Sequence, residues 1–181
     1  MSHLLNLQQR FRSGEPLKFH FFWGHTPSHG RVNESCLSQW HVAPFVIENH
    51  CYPTAEHFMM AEKARLFNDG DARQQIMDAD QPGLAKKLGR LIKGFDEATW
   101  NRERFSIVVR GNLGKFKHNE HLRLYLLQTG DKILVEASPY DRIWGIGMGR
   151  EHPHASDPLR WEGENLLGFA LMEVRRKLRE D

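Results

Sequence analysis

Tyr52-Pro53-Thr54-Ala55-Glu56-His57-Phe58-Met59-Met60-Ala61-Glu62-Lys63 is where the chain changes character, with short aromatic and β-branched runs before it and helical patterns after it. Thr54 is a residue type favoured at helix N-caps, so a helix is expected to begin behind it, with Glu56 in the first turn. On a 3.6-residue period Met60 and Lys63, four and seven residues further on, share the face of Glu56. A lone first-turn acid is commonly a solvated residue favoured by the helix dipole. A carboxylate aligned with a thioether and an amine is a less ordinary set. Aromatic and basic residues recur in the later segments, a composition suited to a flat, anionic ligand.

Before this stretch, Leu4, Leu7 and Phe11 predict a short amphipathic helix over 4–12. Lys18-Phe19-His20-Phe21-Phe22-Trp23 reads as a strand, and residues 44–52 read as a strand pair turning at Glu48-Asn49-His50. A polar loop rich in Gly, Pro and Ser lies between them, near 24–39. After it, helices are expected near 55–68, 70–78, 82–90, 96–113 and 119–128, with Asp96 and Asn119 as N-caps and Gly130 as a stop. Residues 132–137 read as a short buried strand, and 138–164 as a long irregular stretch of the kind that is usually functional or disordered. The last helix carries Leu167, Leu171, Val174 and Leu178 on one face. The expected fold is mainly α with a few short strands: one domain over 18–181 behind an N-terminal helical appendage, 1–17.

With 181 residues, 40% of them hydrophobic, and five Trp and eleven Phe, the chain has the means to bury a real core. A formal charge of +2 leaves no strong global field, so neither nucleic-acid coating nor membrane adsorption follows from it. Cys36 and Cys51 do not make a disulfide framework and point to a reducing compartment, while leaving open whether the two pair. The first residues lack the apolar run of a secretion signal, and no stretch approaches the roughly 18 apolar residues of a membrane span, so a cytoplasmic location is expected. No internal repeat or heptad array is visible.

Asp141-Arg142-Ile143-Trp144-Gly145-Ile146-Gly147-Met148-Gly149 opens the irregular stretch. Glycines at alternate positions let backbone approach a ligand closely, or simply make a turn. Without a strand before and a helix after, they are not a dinucleotide fingerprint. Asp141 and Glu56 are candidate carboxylates for cleaving a glycosidic bond. Trp100 and Trp144 offer surfaces on which a base can stack, although buried Trp is commonly plain core. Lys63, Lys86, Arg90, Arg104, Lys115 and Lys117 interleave with these aromatics and are candidates for holding phosphate. If Lys63 shares a pocket with Glu56, desolvation and neighbouring cations would lower its pKa and fit it for amine chemistry on a ring-opened sugar aldehyde. His152/His154 and His118/His121 have no Cys or carboxylate at zinc-like spacing, so no metal is expected. A nucleophile elbow, a P-loop and a zinc-protease helix are all missing from the sequence.

Taken in order, these elements resemble the NADAR (YbiA-like) family over residues 19–179. The matching segments are Phe21-Phe22-Trp23, Leu37-Ser38-Gln39-Trp40, Tyr52-Pro53-Thr54-Ala55-Glu56-His57, residues 60–63, Leu88-Gly89-Arg90 and residues 100–104. They continue with Lys115-Phe116, Leu134-Val135-Glu136, the segment from Asp141 to Gly147, and Trp161-Glu162-Gly163-Glu164-Asn165-Leu166-Leu167-Gly168. The resemblance implies a mainly helical fold and an N-glycosidase acting on early riboflavin-pathway intermediates or on ADP-ribosylated guanine in nucleic acid. It implies Glu56 and Asp141 as acidic catalytic residues, Lys63 as a candidate covalent amine, and Trp100 and Trp144 as functionally important aromatics; beside these, Trp23, Arg90, Arg104, Lys115 and Asn165 are candidate substrate-binding residues. It implies no cofactor, and as partners a small-molecule nucleotide substrate or ADP-ribosylated DNA or RNA. Gln39 departs from the Asn expected in the family's segment and, in a loop at the substrate mouth, would bear on substrate choice. The alternative is a non-catalytic module binding ADP-ribose or nucleotides, which the aromatic and basic groups alone would serve and to which Glu56 and Lys63 add little.

Overall fold

Thr54 accepts a hydrogen bond from the His57 amide at 3.3 Å and starts helix α2 (Ala55–Leu66), as its side chain suggests. In the computed structural model, which describes residues 2–26 and 32–180, α2 is buried along most of its length, with Phe58, Met59, Met60 and Ala61 all enclosed. A helix buried on several sides is the centre of its surroundings rather than a surface element. Helices α3 (Gly70–Met77), α4 (Pro82–Gly89) and α5 (Glu97–His118) pack on it. Strands β2 (Phe45–Ile47) and β3 (His50–Tyr52) form an antiparallel hairpin pairing Phe45 with Tyr52. Glu48 and Asn49 take left-handed φ values of 50° and 63° between them, the two-residue turn that matches strand twist.

Helix α5 runs to His118, beyond the expected end near 113. Gly114 packs rather than breaks: a Cβ there would lie 2.8 Å from Ile47 Cδ1. Asp96 caps α5 as expected, accepting from the Thr99 amide at 2.8 Å. Asn119 does not use its side chain to start α6 (Glu120–Gln128). Its amide donates back to the Lys115 carbonyl at 2.8 Å, closing the end of α5.

The chain divides into two compact units, residues 39–123 and residues 1–38 with 124–181. The second unit includes α1 (His3–Arg12), β1 (Phe19–Phe22), β4 (Ile133–Glu136) and α7 (Leu166–Glu180). Helix α1 packs within this unit: Leu7 is buried, the His3 ring stacks on Phe169 of α7 at 5.4 Å, and Gln8 Nε2 donates to the Pro158 carbonyl at 2.9 Å. Strands β1 and β4 pair in parallel from Phe19 with Ile133 to Phe22 with Glu136, and α7 lies on β4. The chain is mainly α with four short strands among the described residues.

The stretch after β4 has no helix or strand, yet its backbone is tied down. Ile146 N donates to Glu136 O at 3.0 Å, Glu162 N to Ile146 O at 3.0 Å, and Asn165 N to Gly145 O at 3.0 Å. A Cβ on Gly163 would overlap the Gly145 carbonyl and come within 2.8 Å of Arg142 Cα. Gly145 and Gly163 thus serve the approach of the chain to itself. Cys36 is buried and Cys51 exposed, and neither is in a disulfide. No helix among the described residues is long and apolar enough to cross a membrane.

Candidate active site

In the unit of residues 39–123, the face of α2 defined by Glu56, Met60 and Lys63 is built as the period suggests. Glu56 is 3% exposed, and its amide, one of the orphan donors of a helix start, donates to the Gln39 carbonyl at 3.0 Å. Seven residues at about 1.5 Å each put Lys63 about 10 Å further along the axis.

Lys63 Nζ donates to the Gly89 carbonyl at 2.8 Å, at the C-terminal end of α4 where the dipole favours a cation. It lies 4.4 Å from the centre of the Phe95 ring and 5.4 Å from that of Trp100. Ring faces attract the ammonium form. Burial disfavours it, and together with the nearby Arg90 charge holds the Lys63 pKa below the ordinary lysine range. Gly89 is required here because a Cβ would overlap Met60 Sδ and sit 2.9 Å from Met60 Cγ. Gly89→Ala is expected to cost about 1–3 kcal/mol of stability by overpacking. It should also move the carbonyl that holds Lys63. Denaturant midpoints, compared with wild type, check the first effect.

Arg90 is exposed at the end of α4, and Arg104 is half-buried one turn beyond Trp100 on α5. Lys115 was expected to hold phosphate. It is 0% exposed, with Nζ 5.2 Å from the Phe116 ring centre. Gln39 is 7% exposed, and its Oε1 accepts from Asn112 Nδ2 at 2.7 Å. The second buried carboxylate of α2, Glu62, bonds Arg65 and Arg110 and is a structural anchor. Phe95 was not singled out by the sequence reading. Its signal was there: Phe95 immediately precedes the N-cap Asp96 and Trp100 is the fourth residue of the helix, the spacing of a hydrophobic staple.

His57, next to Glu56, is fully buried, with Nε2 at 3.1 Å from the Ala79 carbonyl and Nδ1 at 2.8 Å from Thr54 Oγ1. A carbonyl can only accept, so Nε2 carries the proton and Nδ1 accepts from the Thr54 hydroxyl. Burial, opposed by the Ala79 bond and Asp80, lowers the His57 pKa. The neutral ring therefore contributes stability that is present above the unfolded value of about 6.5 and is lost as pH falls below it. Melting temperature should decline from pH 7 to 5 more steeply in wild type than in His57→Gln, which has no ring to titrate.

In the unit of residues 1–38 and 124–181, Asp141 Oδ1 accepts from the amides of Ile143 at 2.9 Å and Trp144 at 2.7 Å. Its visible work is to close a turn that sets Trp144, which is half-buried. Asn165, expected to bind substrate, is 0% exposed. Its Nδ2 donates to the Leu134 carbonyl at 2.9 Å, and its Oδ1 accepts from the Glu136 amide at 3.0 Å, so the side chain is committed to holding β4. Trp23 is 53% exposed, its ring 6.3 Å from that of Tyr140. The structure thus gathers Arg90, Phe95 and Trp100 around the Lys63 amine, on the helix of Glu56. No group of three or more metal-ligating side chains occurs among the described residues.

The chain is 38% identical to the N-glycosidase R617 of Acanthamoeba polyphaga mimivirus over 165 residues, which cover 88% of this chain and 96% of that one. It is 36% identical over 134 residues, 70% of its length, to the chloroplastic riboflavin biosynthesis protein PYRR of Zea mays, a match that spans 20% of the maize protein. The NMR structure of the Escherichia coli protein YbiA superposes with a TM-score of 0.72 at 26% identity, over 90% of this chain and 86% of that one. The NADAR domain model matches residues 21–179, and the chain belongs to that family.

Proposed function

We propose that the protein is an N-glycosidase that hydrolyses the bond between ribose C1′ and the nitrogen of its base, on a phosphate-bearing substrate. The observation that carries this reading is a half-buried amine of lowered pKa, held beside Trp100 and Phe95 on the helix face of a buried carboxylate. Binding alone needs neither group. Glu56, in a low-dielectric setting, stabilises positive charge developing at C1′ as the base departs. Neutral Lys63 Nζ forms a bond to C1′ as the C1′–N bond breaks, and the proton lost from Nζ ends on the departing base. The sugar ring then opens at O4′ to a Schiff base. Water adds to it and expels the amine, which leaves free sugar phosphate and Lys63 as it began. Arg90 and Arg104 are the candidate phosphate contacts, with Trp100 as the surface for the base.

Early ribosylated intermediates of riboflavin synthesis are the first substrate class, in line with the name of the maize relative. The test is chromatography of released base after incubation with such an intermediate and, separately, with DNA carrying ADP-ribosylated guanine. Base release from the first is expected. Release from the second alone would move the substrate class, and release from neither would remove the glycosidase reading.

A further inference from the structure

Gln39 and Asn112 lie at opposite ends of a buried polar contact that reaches the helix turn carrying Glu56. Gln39 does two things at once. Its backbone carbonyl accepts from the Glu56 amide at 3.0 Å, while its side chain is pinned by Asn112 Nδ2 of α5 at 2.7 Å and lies against Met59 Sδ at 3.8 Å. Met59 is three residues from Glu56, the neighbouring position on the helix surface. Asn112 is itself 0% exposed and fixed by a second bond from Nδ2 to the Val108 carbonyl at 2.9 Å, one turn back in α5. A link therefore runs from the interior of α5, through the Gln39 side chain and peptide, to the first turn of α2.

That turn is where a helix is least determined by its own hydrogen bonds, since its first amides have no partner within the helix. Thr54 satisfies the His57 amide, and Gln39 satisfies that of Glu56. Mainly apolar surroundings would hold the Gln39 segment in place by packing alone. A buried amide pair adds direction, because each bond has a narrow range of distance and angle and a buried polar group left unmade is costly. We infer that the Gln39–Asn112 pair is a positioning device for the Glu56 carboxylate: it fixes the Gln39 peptide, which in turn fixes the first turn of α2. The inference rests on Glu56 acting in the reaction proposed above. It gives Gln39, a departure from the residue expected in its segment, a role in the turnover step rather than at a substrate mouth.

Neither residue is placed in contact with substrate, so the pair acts through Glu56. Gln39→Met keeps length and packs beside Met59 but removes the acceptor, leaving Asn112 with one buried donor hydrogen unbonded. Asn112→Leu leaves the Gln39 Oε1 acceptor buried and unbonded. The double variant Gln39→Met/Asn112→Leu removes both polar partners together, which restores stability far better than either single change. A purely structural pair and a positioning pair then part company. Positioning predicts that the double variant melts near the wild-type temperature, keeps KM within about twofold, and releases base with kcat lowered on the order of 10–100-fold, the scale of an ångström's misplacement. Recovery of kcat along with stability in the double variant would overturn the proposal. Glu56→Gln is measured alongside. A normal rate in that variant would sink the role of Glu56 itself, whereas a dead Glu56→Gln beside a fully active double variant would sink only the role of the pair.

Discussion

Glu56→Gln is expected to fold, melt close to wild type and bind substrate, yet to release base about 10²–10⁴-fold more slowly, the range associated with a positioned acid or base. The substitution is isosteric. The backbone bond from residue 56 to the Gln39 carbonyl does not involve the side chain, and the Thr54 cap is untouched. Loss of the charge at the helix start removes a favourable dipole interaction worth up to about 2 kcal/mol in a buried setting. What is lost is a carboxylate 3% exposed, whose field is little screened by water and acts fully on a cationic sugar. The split to look for is a fall in kcat with KM nearly unchanged, since that marks an interaction made in the transition state. An equal fall in substrate affinity would instead make Glu56 a binding residue.

Lys63→Met should lose turnover on the order of 10³-fold or more, the scale found when a nucleophile is removed. It should also lose any adduct trapped by borohydride. Met keeps an apolar stem against Phe95 and Trp100 and gives up the bond to the Gly89 carbonyl, so a folded variant is expected. Lys63→Arg keeps the charge but cannot form the Schiff base, and separates a covalent role from a phosphate-binding one. The pH dependence follows from the lowered pKa. The amine is competent above its folded-state pKa and loses competence as pH falls through it, so adduct formation should rise with pH at values below the ordinary lysine range of about 10.4. Mass mapping of the trapped peptide checks the site of the adduct.

The helices were legible because their punctuation is chemical and local. Thr54 and Asp96 cap, the Glu48-Asn49 turn takes the left-handed conformation, and α2 carries its three-residue face in the expected order. Tertiary packing was not legible. Gly114 reads as a breaker in one dimension and becomes a close-packing position only once Ile47 is opposite it. Lys115 and Asn165 look like ligand-binding groups by type and segment. Their burial depends on what other segments bring against them, which no spacing within their own segment encodes. The partners of Lys63 were half visible, Trp100 from its segment and Phe95 from the staple around Asp96. The Gly89 carbonyl, a backbone atom, leaves no side-chain signature. The division into units of residues 39–123 and 1–38 with 124–181 likewise arises from the pairing of β1 with β4, strands far apart in sequence.

The most direct measurement is a time course of free base by chromatography, with wild-type protein and a molar excess of a ribosylated riboflavin intermediate, beside calorimetry on the same substrate. Hydrolysis by the Glu56 and Lys63 face predicts free base accumulating well beyond one equivalent per protein molecule, with sugar phosphate in step. Binding heat with no base released, on this substrate and on ADP-ribosylated guanine alike, would contradict it and leave a nucleotide-binding module.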